Sequence, residues 1–199
     1  MAVRREITEY SGIYFITVTC SRWLRLFEIA DAYDEVYKWF DHLKGKGHYI
    51  LGYVIMPNHI HALIGFRQTQ GASINSMVGE GKRFMSYGIV KRLKNKGEVG
   101  ILAQLTELVN TTDSKRGKIH EVFEPSFVPI IVGRKECRDN KFIEQKLNYI
   151  HANACRGAWD LVADECEYQH SSARFYATGE QGAYVVTNYP ELEDVDLTK

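Results

Sequence analysis

Four short stretches of the chain cluster or alternate apolar residues in the manner of strands, and three longer ones repeat them at helical spacing. Ile13 to Cys20 (IYFITVTC) is dense in aromatic and β-branched residues and predicts a strand. Asp31 to Lys46 places Tyr33, Val36, Tyr37, Phe40 and Leu43 along one side of a helix, which Gly45 and Gly47 close. His48 to Met56 predicts a second strand, Pro57-Asn58 a turn, and His59 to Phe66 a third strand. In that third strand Ile60, Ala62, Ile64 and Phe66 share one face, toward packed helices. His59 and His61 share the other, less covered face. Ser73 to Lys96 predicts a long helix with Ser73 as N-cap and with Met77, Phe84, Ile89 and Leu93 on its buried side. Gly97 to Lys118 is loop-like around a short helical patch, Ile101 to Val109. Val122 to Val132 predicts a broken strand, and Pro125 and Pro129 fit an edge position. Cys137 to Cys155 predicts another long helix, with Phe142, Leu147 and Ile150 inward.

The order is strand, helix, strand, strand, helix, strand, then an additional helix. This is an α+β chain of the ferredoxin-like β-α-β-β-α-β type, with a mainly antiparallel sheet and helices on one face. The additional C-terminal helix carries Tyr149. Residues 1–178 read as one domain and 179–199 as an acidic tail, mobile after Tyr189.

Charge refines this picture locally. The 199 residues hold 25 Lys and Arg against 25 Asp and Glu, so no global field draws in nucleic acid. Yet Lys82, Arg83, Lys91, Arg92, Lys94 and Lys96 form a run without acids, and the last twenty residues hold Glu180, Glu191, Glu193, Asp194 and Asp196 against Lys199 alone. Four cysteines lie far apart with no C-x-x-C spacing, which argues against a zinc knuckle and a disulfide framework. Met1 to Tyr10 lacks the apolar core of a signal peptide, and no stretch has the length of a membrane span. The expectation is a cytoplasmic protein without a membrane partner.

Candidate chemistry starts at Met56-Pro57-Asn58-His59-Ile60-His61. Two imidazoles on one strand face can share a divalent metal, although an isolated H-x-H is a weak signal. The second element is Tyr149-Ile150-His151-Ala152-Asn153. Tyr149 and Asn153, four apart, share a helix face. A tyrosine can act as a covalent nucleophile, and an amide oxygen suits a hard divalent ion. Read alone, both segments also fit ordinary half-buried strand and helix residues.

Together they resemble the single-tyrosine transposases. Gly52 to His61 (GYVIMPNHIH) looks like the "hUh" metal motif of that group, in particular of the REP-associated tyrosine transposases. Leu147 to Asn153 (LNYIHAN) resembles their tyrosine helix, and the likeness continues through Gly157 to Val162 and Tyr168 to Ala173. Departures are Asn153-Ala154-Cys155, where the family usually has Asn-Pro-Val, and Phe123 to Phe127, where many members carry a Trp and an Arg. The resemblance implies a ferredoxin-like fold and assigns His59, His61 and Asn153 to Mg²⁺ or Mn²⁺. It makes Tyr149 the nucleophile on single-stranded or hairpin DNA, by way of a 5′-phosphotyrosine and a free 3′-OH. Lys82, Arg83, Lys91 and Arg92, and Arg134 and Lys135 beside the tyrosine helix, are the candidate contacts to the DNA backbone. Monomer and homodimer both remain open.

Three other readings compete. One is a domesticated DNA-hairpin-binding protein that no longer cuts. Another is a hydrolase or oxygenase that adds a carboxylate to the two histidines. The third is a structural α+β domain with incidental histidines.

Overall fold

The computed structural model describes residues 11–67, 73–125, 130–133, 140–157, 159–192, 195 and 197. Strand β1 (Gly12–Thr19) is followed by the short helix α1 (Leu26–Ile29) and by α2 (Tyr33–Gly45). Strands β2 (Tyr49–Met56) and β3 (His59–Phe66) form a tight hairpin. Helix α3 (Ile74–Lys96) leads into α4 (Val99–Glu107) and α5 (Thr111–Lys115). Strand β4 (Ile130–Gly133), helix α6 (Asn140–His151) and helix α7 (Ala173–Thr178) complete the elements. The sheet order is β2-β3-β1-β4 and every neighbouring pair is antiparallel. That is the ferredoxin-like arrangement the sequence pattern predicts, with β4 at an edge.

The two faces of the sheet are covered by different layers. On one, Tyr14, Ile16, Val18, Tyr53, Ile55, Ile60, Ala62, Ile64 and Phe66 join Val36, Trp39, Phe40 and Leu43 of α2 and Met77, Met85, Ile89 and Leu93 of α3 in the larger core. On the other, Ile13, Phe15, Leu51, Val54, Met56 and Leu63 meet Ile143, Leu147 and Ile150 of α6. The expectation of helices on a single face is therefore corrected. Burial of the three α6 side chains contributes about 1.5–3 kcal/mol each to holding that helix on the sheet.

Glycines set two close approaches. A β-bulge between Ile50 and Gly52 puts Leu51 and Gly52 together opposite Leu63. A side chain on Gly52 would overlap Leu147 Cδ2, so α6 sits directly on bare backbone there. In α3 a side chain on Gly81 would run into the Trp39 ring. Gly81 thus belongs to the buried stripe of α3, together with Met77, Met85, Ile89 and Leu93. Phe84, expected in that stripe, is 51% exposed, because the row passes through Gly81 and Met85 instead. Ser73 does cap α3: its Oγ accepts from the Ser76 amide, and its own amide donates to Ser76 Oγ.

Other boundaries differ from expectation. The tyrosine helix, expected from Cys137, is described from Asn140 and tightens into a 3₁₀ turn at Ala152–Cys155; residues 134–139 lie outside the described ones. Of the broken strand, the described residues form β4 and a bridge between Phe123 and Cys20, and residues 126–129 lie outside the described ones. The loop-like region holds α4, close to its expected place, and α5 in addition. The C-terminal segment packs on the body, with Tyr184, Val186, Leu192 and Leu197 buried. The Thr187 amide bonds the Ile50 carbonyl, and His170 to Ser172 bond to Tyr53 and Ile55, so the outer edge of β2 is covered.

Candidate active site

His59 and His61 lie on the α6 face of β3, opposite Thr19 and Thr17 of β1. They were expected to look outward. Both are in fact nearly closed off, at 4% and 6% exposure, because α6 and the segments around it roof that face. Their ring centroids are 4.8 Å apart. Burial, against a hydrogen bond to the Asn153 side chain, takes the pKa of His59 down to about 4. Burial, then the charges of His59 and Lys146, takes His61 down to about 3. Both rings are neutral at pH 7, the form that ligates metals.

The orientation of His59 follows from its neighbours. Asn58 Nδ2 donates to the Trp23 carbonyl at 3.0 Å, which turns Asn58 Oδ1 toward His59 Nδ1 at 2.6 Å. That oxygen can only accept, so Nδ1 carries the proton and Nε2 keeps its lone pair. His61 Nδ1 lies 2.8 Å from Thr17 Oγ1, and an Nδ1–H donated to that hydroxyl leaves Nε2 open in the same way. Phe15 stacks on the His61 ring at 5.3 Å and fixes its plane.

Helix α6 supplies the rest. Tyr149 stands edge-on to His61 at 5.2 Å and to Phe15 at 5.9 Å, and it is 47% exposed beside two buried imidazoles. Asn153, one helical turn on, donates from Nδ2 to the Tyr149 carbonyl at 2.6 Å. Its side chain also lies near His59, where its hydrogen bonding opposes part of the fall in the imidazole pKa. Between Tyr149 and Asn153, His151 turns inward and shares a 2.9 Å hydrogen bond with Ser172 Oγ, which also accepts from the Tyr53 amide. This buried link fastens the end of α6 to β2, close to where Gly52 lets Leu147 approach.

Four residues singled out by sequence, His59, His61, Tyr149 and Asn153, thus come together. The basic run does not join them. Lys82, Arg83, Lys91 and Arg92 are on α3, which packs on the opposite face of the sheet. Arg92 is held by Asp34 at 2.6 Å and Glu35 at 3.1 Å and also bonds the Asp31 carbonyl, and Lys82 donates to the Glu124 carbonyl at 2.6 Å. Arg134 and Lys135 lie outside the described residues. Lys146, which the sequence reading passed over, sits over the Phe15 ring at 5.0 Å and faces His61. Its signal was the i, i+3 spacing to Tyr149. Trp23 and Trp159 flank His59 at 5.8 and 6.2 Å; Trp159 lies in the family-like stretch Gly157 to Val162, whereas no motif announced Trp23.

The chemistry of this donor set fits a divalent cation of moderate hardness: two neutral imidazoles with their second nitrogens engaged, and an amide oxygen. Among the described residues no group of three His, Cys, Asp or Glu side chains is placed to hold a metal, so no carboxylate completes the two-histidine set.

Fold and site together define a ferredoxin-like α+β domain with paired imidazoles beside a half-exposed tyrosine. The same fold occurs in a REP-associated tyrosine transposase whose structure was determined bound to a REP hairpin. The TM-score is 0.61 over 95% of each chain, at 17% identity, a likeness of fold. A candidate transposase from Deinococcus radiodurans R1 aligns over 72% of this chain and 98% of its own, at 15% identity and a TM-score of 0.36, too low to support an inference. No protein-family model matches this chain, and no curated protein is significantly similar to it. No helix among the described residues is long and apolar enough to cross a membrane.

Proposed function

We propose that this chain is a transposase-like enzyme that nicks single-stranded, hairpin-associated DNA through Tyr149 and rejoins it to a 3′-hydroxyl. The observation that carries this reading is Tyr149, half-exposed, with its ring 5.2 Å from one of two buried neutral imidazoles. The fold shared with a protein bound to a REP hairpin supports DNA as the partner.

In this reading His59, His61 and the Asn153 oxygen hold Mg²⁺ or Mn²⁺. When bound, such an ion polarises a non-bridging phosphate oxygen and offsets charge that develops at phosphorus. The remaining work falls to the chain. Tyr149 Oη forms a bond to phosphorus as the bond from phosphorus to the 3′-oxygen breaks. The phenol proton passes to solvent at the half-exposed ring, and the departing 3′-oxygen takes a proton from water. The products are a 5′-phosphotyrosine and a 3′-OH. One phosphodiester has replaced another, so attack by a second 3′-OH reverses the step and joins strands without ATP. Lys146 places a positive charge on the approach to His61 and Tyr149.

The test uses hairpin oligonucleotides from the DNA flanking the gene, labelled at either end, with Mg²⁺ or Mn²⁺ and a denaturing protein gel. The 3′-label is expected to migrate with the protein and to be lost from it in Tyr149→Phe. Hairpin binding with no adduct in either metal would replace this reading by the non-cutting binder.

A further inference from the structure

The loop after β1 presents a strained and exposed tryptophan beside the histidine pair. Arg22 and Trp23 have φ of 51° and 58°, the left-handed region that non-glycine residues avoid. Asp160, directly after Trp159, has φ of 36°. Among the described residues only four non-glycine positions have positive φ, and three of them adjoin these two tryptophans. Each such residue costs about 1–3 kcal/mol and persists only where its surroundings impose it. Here they do. The Arg22 amide donates to Glu124 Oε1 at 2.9 Å, and the Trp23 carbonyl accepts from Asn58 Nδ2 at 3.0 Å. Asn58 is the residue that also orients His59.

The strain does not serve burial, since Trp23 is 61% exposed. An indole set in water on a backbone fixed by Glu124 and Asn58, 5.8 Å from the ring of His59, instead presents a flat surface. Trp159 stands on the other flank of His59, with the Arg25 guanidinium over its ring at 5.7 Å. Ring contacts connect Trp23 to His59, His59 to His61 and His61 to Tyr149, with centroids 5.8, 4.8 and 5.2 Å apart. A strand whose phosphate lies at His61 and Tyr149 carries its neighbouring base toward Trp23.

We infer that Trp23, flanked by Trp159 and Arg25, is a stacking cradle for an unpaired nucleobase of single-stranded DNA, next to the phosphate that Tyr149 attacks. The inference rests on the proposed function for its substrate class. Stacking accepts any base, because every base has a π-face. The cradle therefore selects unpaired over duplex DNA at this position, with little preference for sequence. Arg25, also paired with Glu28 at 2.7 Å, adds charge toward the backbone of the same nucleotide.

The experiment compares dT12 with a 12-mer of the same charge made of abasic nucleotides, by titration at fixed salt. Wild-type protein is expected to bind dT12 more tightly, and Trp23→Ala to lose about 5- to 150-fold of that advantage. Trp23→Phe should recover most of it, since it keeps an aromatic face. Tyr87→Ala, which removes an equally exposed ring from the opposite layer, should change nothing. Equal dT12 binding by wild type and Trp23→Ala, or no preference for dT12 over the abasic chain, would overturn the cradle. Adduct formation on hairpin substrates is read in parallel. Base-dependent binding without adduct removes the cutting and leaves the cradle. Adduct formation without any base dependence removes the cradle and leaves the cutting.

Discussion

Strand β3 serves two surfaces with one run of eight residues. Ile60, Ala62, Ile64 and Phe66 face α2 and α3 and are wholly buried in an apolar layer. His59, His61 and Leu63 face α6, where the two imidazoles are as nearly enclosed but the roof is lined with Tyr149, Asn153 and Lys146. Burial is nearly equal on the two faces, and its chemical consequence is opposite. On the apolar face it yields stability through area removed from water. On the other it strips solvent from ionisable groups, keeps both histidines neutral, and leaves a nucleophile at the boundary with water. The comparison shows that depth alone does not mark a core. What separates the faces is whether each buried polar atom has a partner that fixes its orientation, as Asn58 and Thr17 do here.

Substitution on β3 separates the two roles most sharply. Ile64→Ala empties a site on the apolar face and should cost about 2–5 kcal/mol of stability, with an unchanged rate of adduct formation per folded molecule. His61→Ala should lower that rate by at least about 100-fold. Chemical denaturation and adduct kinetics on both variants make the comparison. A His61→Ala protein that forms adduct at the normal rate would remove the histidine pair from the chemistry.

The glycine contacts give a smaller contrast of the same kind. Gly81→Ala drives a methyl group into the Trp39 ring, between α2 and α3, and should cost about 1–3 kcal/mol while adduct kinetics hold. Gly52→Ala meets Leu147 Cδ2 instead, the end of a side chain buried between α6 and the sheet, so relief comes from repacking Leu147 and, with it, a shift of α6. Tyr149 and Asn153 ride on that helix and its continuation, and a displacement near 1 Å can cost about 100-fold in rate. The expected signature is a loss of rate out of proportion to the loss of stability. Proportional losses in both variants would show that α6 is no more critical to the site than α3.

Much of this was readable before the fold was seen, and the parts that were not have physical reasons. Alternation in β3 and the i, i+4 pair on the tyrosine helix name His59, His61, Tyr149 and Asn153, because side-chain direction follows from strand and helix periods. Neither period says which face of the sheet a helix covers. The apolar row Ile143, Leu147, Ile150 fits either, so the enclosure of the histidines was not foreseen. Phe84 was misplaced because a glycine in a helix does not look like a core residue, although Gly81 is what admits Trp39. The loop carrying Trp23 gave no sign at all. Its left-handed backbone is imposed by Glu124 and Asn58, distant in sequence, on residues that do not prefer it.

Salt dependence tests the smallest difference between the layers. The most basic run of the chain lies on α3, across the sheet from the tyrosine, and part of it is tied to Asp34, Glu35 and backbone carbonyls. Lys146 is a single cation, yet it stands over Phe15 within one turn of Tyr149 and close enough to lower the pKa of His61. Each phosphate contact on single-stranded nucleic acid adds about 0.7 to the slope of log affinity against log salt. Lys146→Ala should therefore flatten that slope by about 0.7 in a hairpin-binding titration, while Lys91→Ala, on the exposed side of α3, leaves it where it was. The reverse result would move the DNA path to the α3 layer and separate it from the histidine pair, because a strand lying along α3 is divided from Tyr149 by the sheet itself.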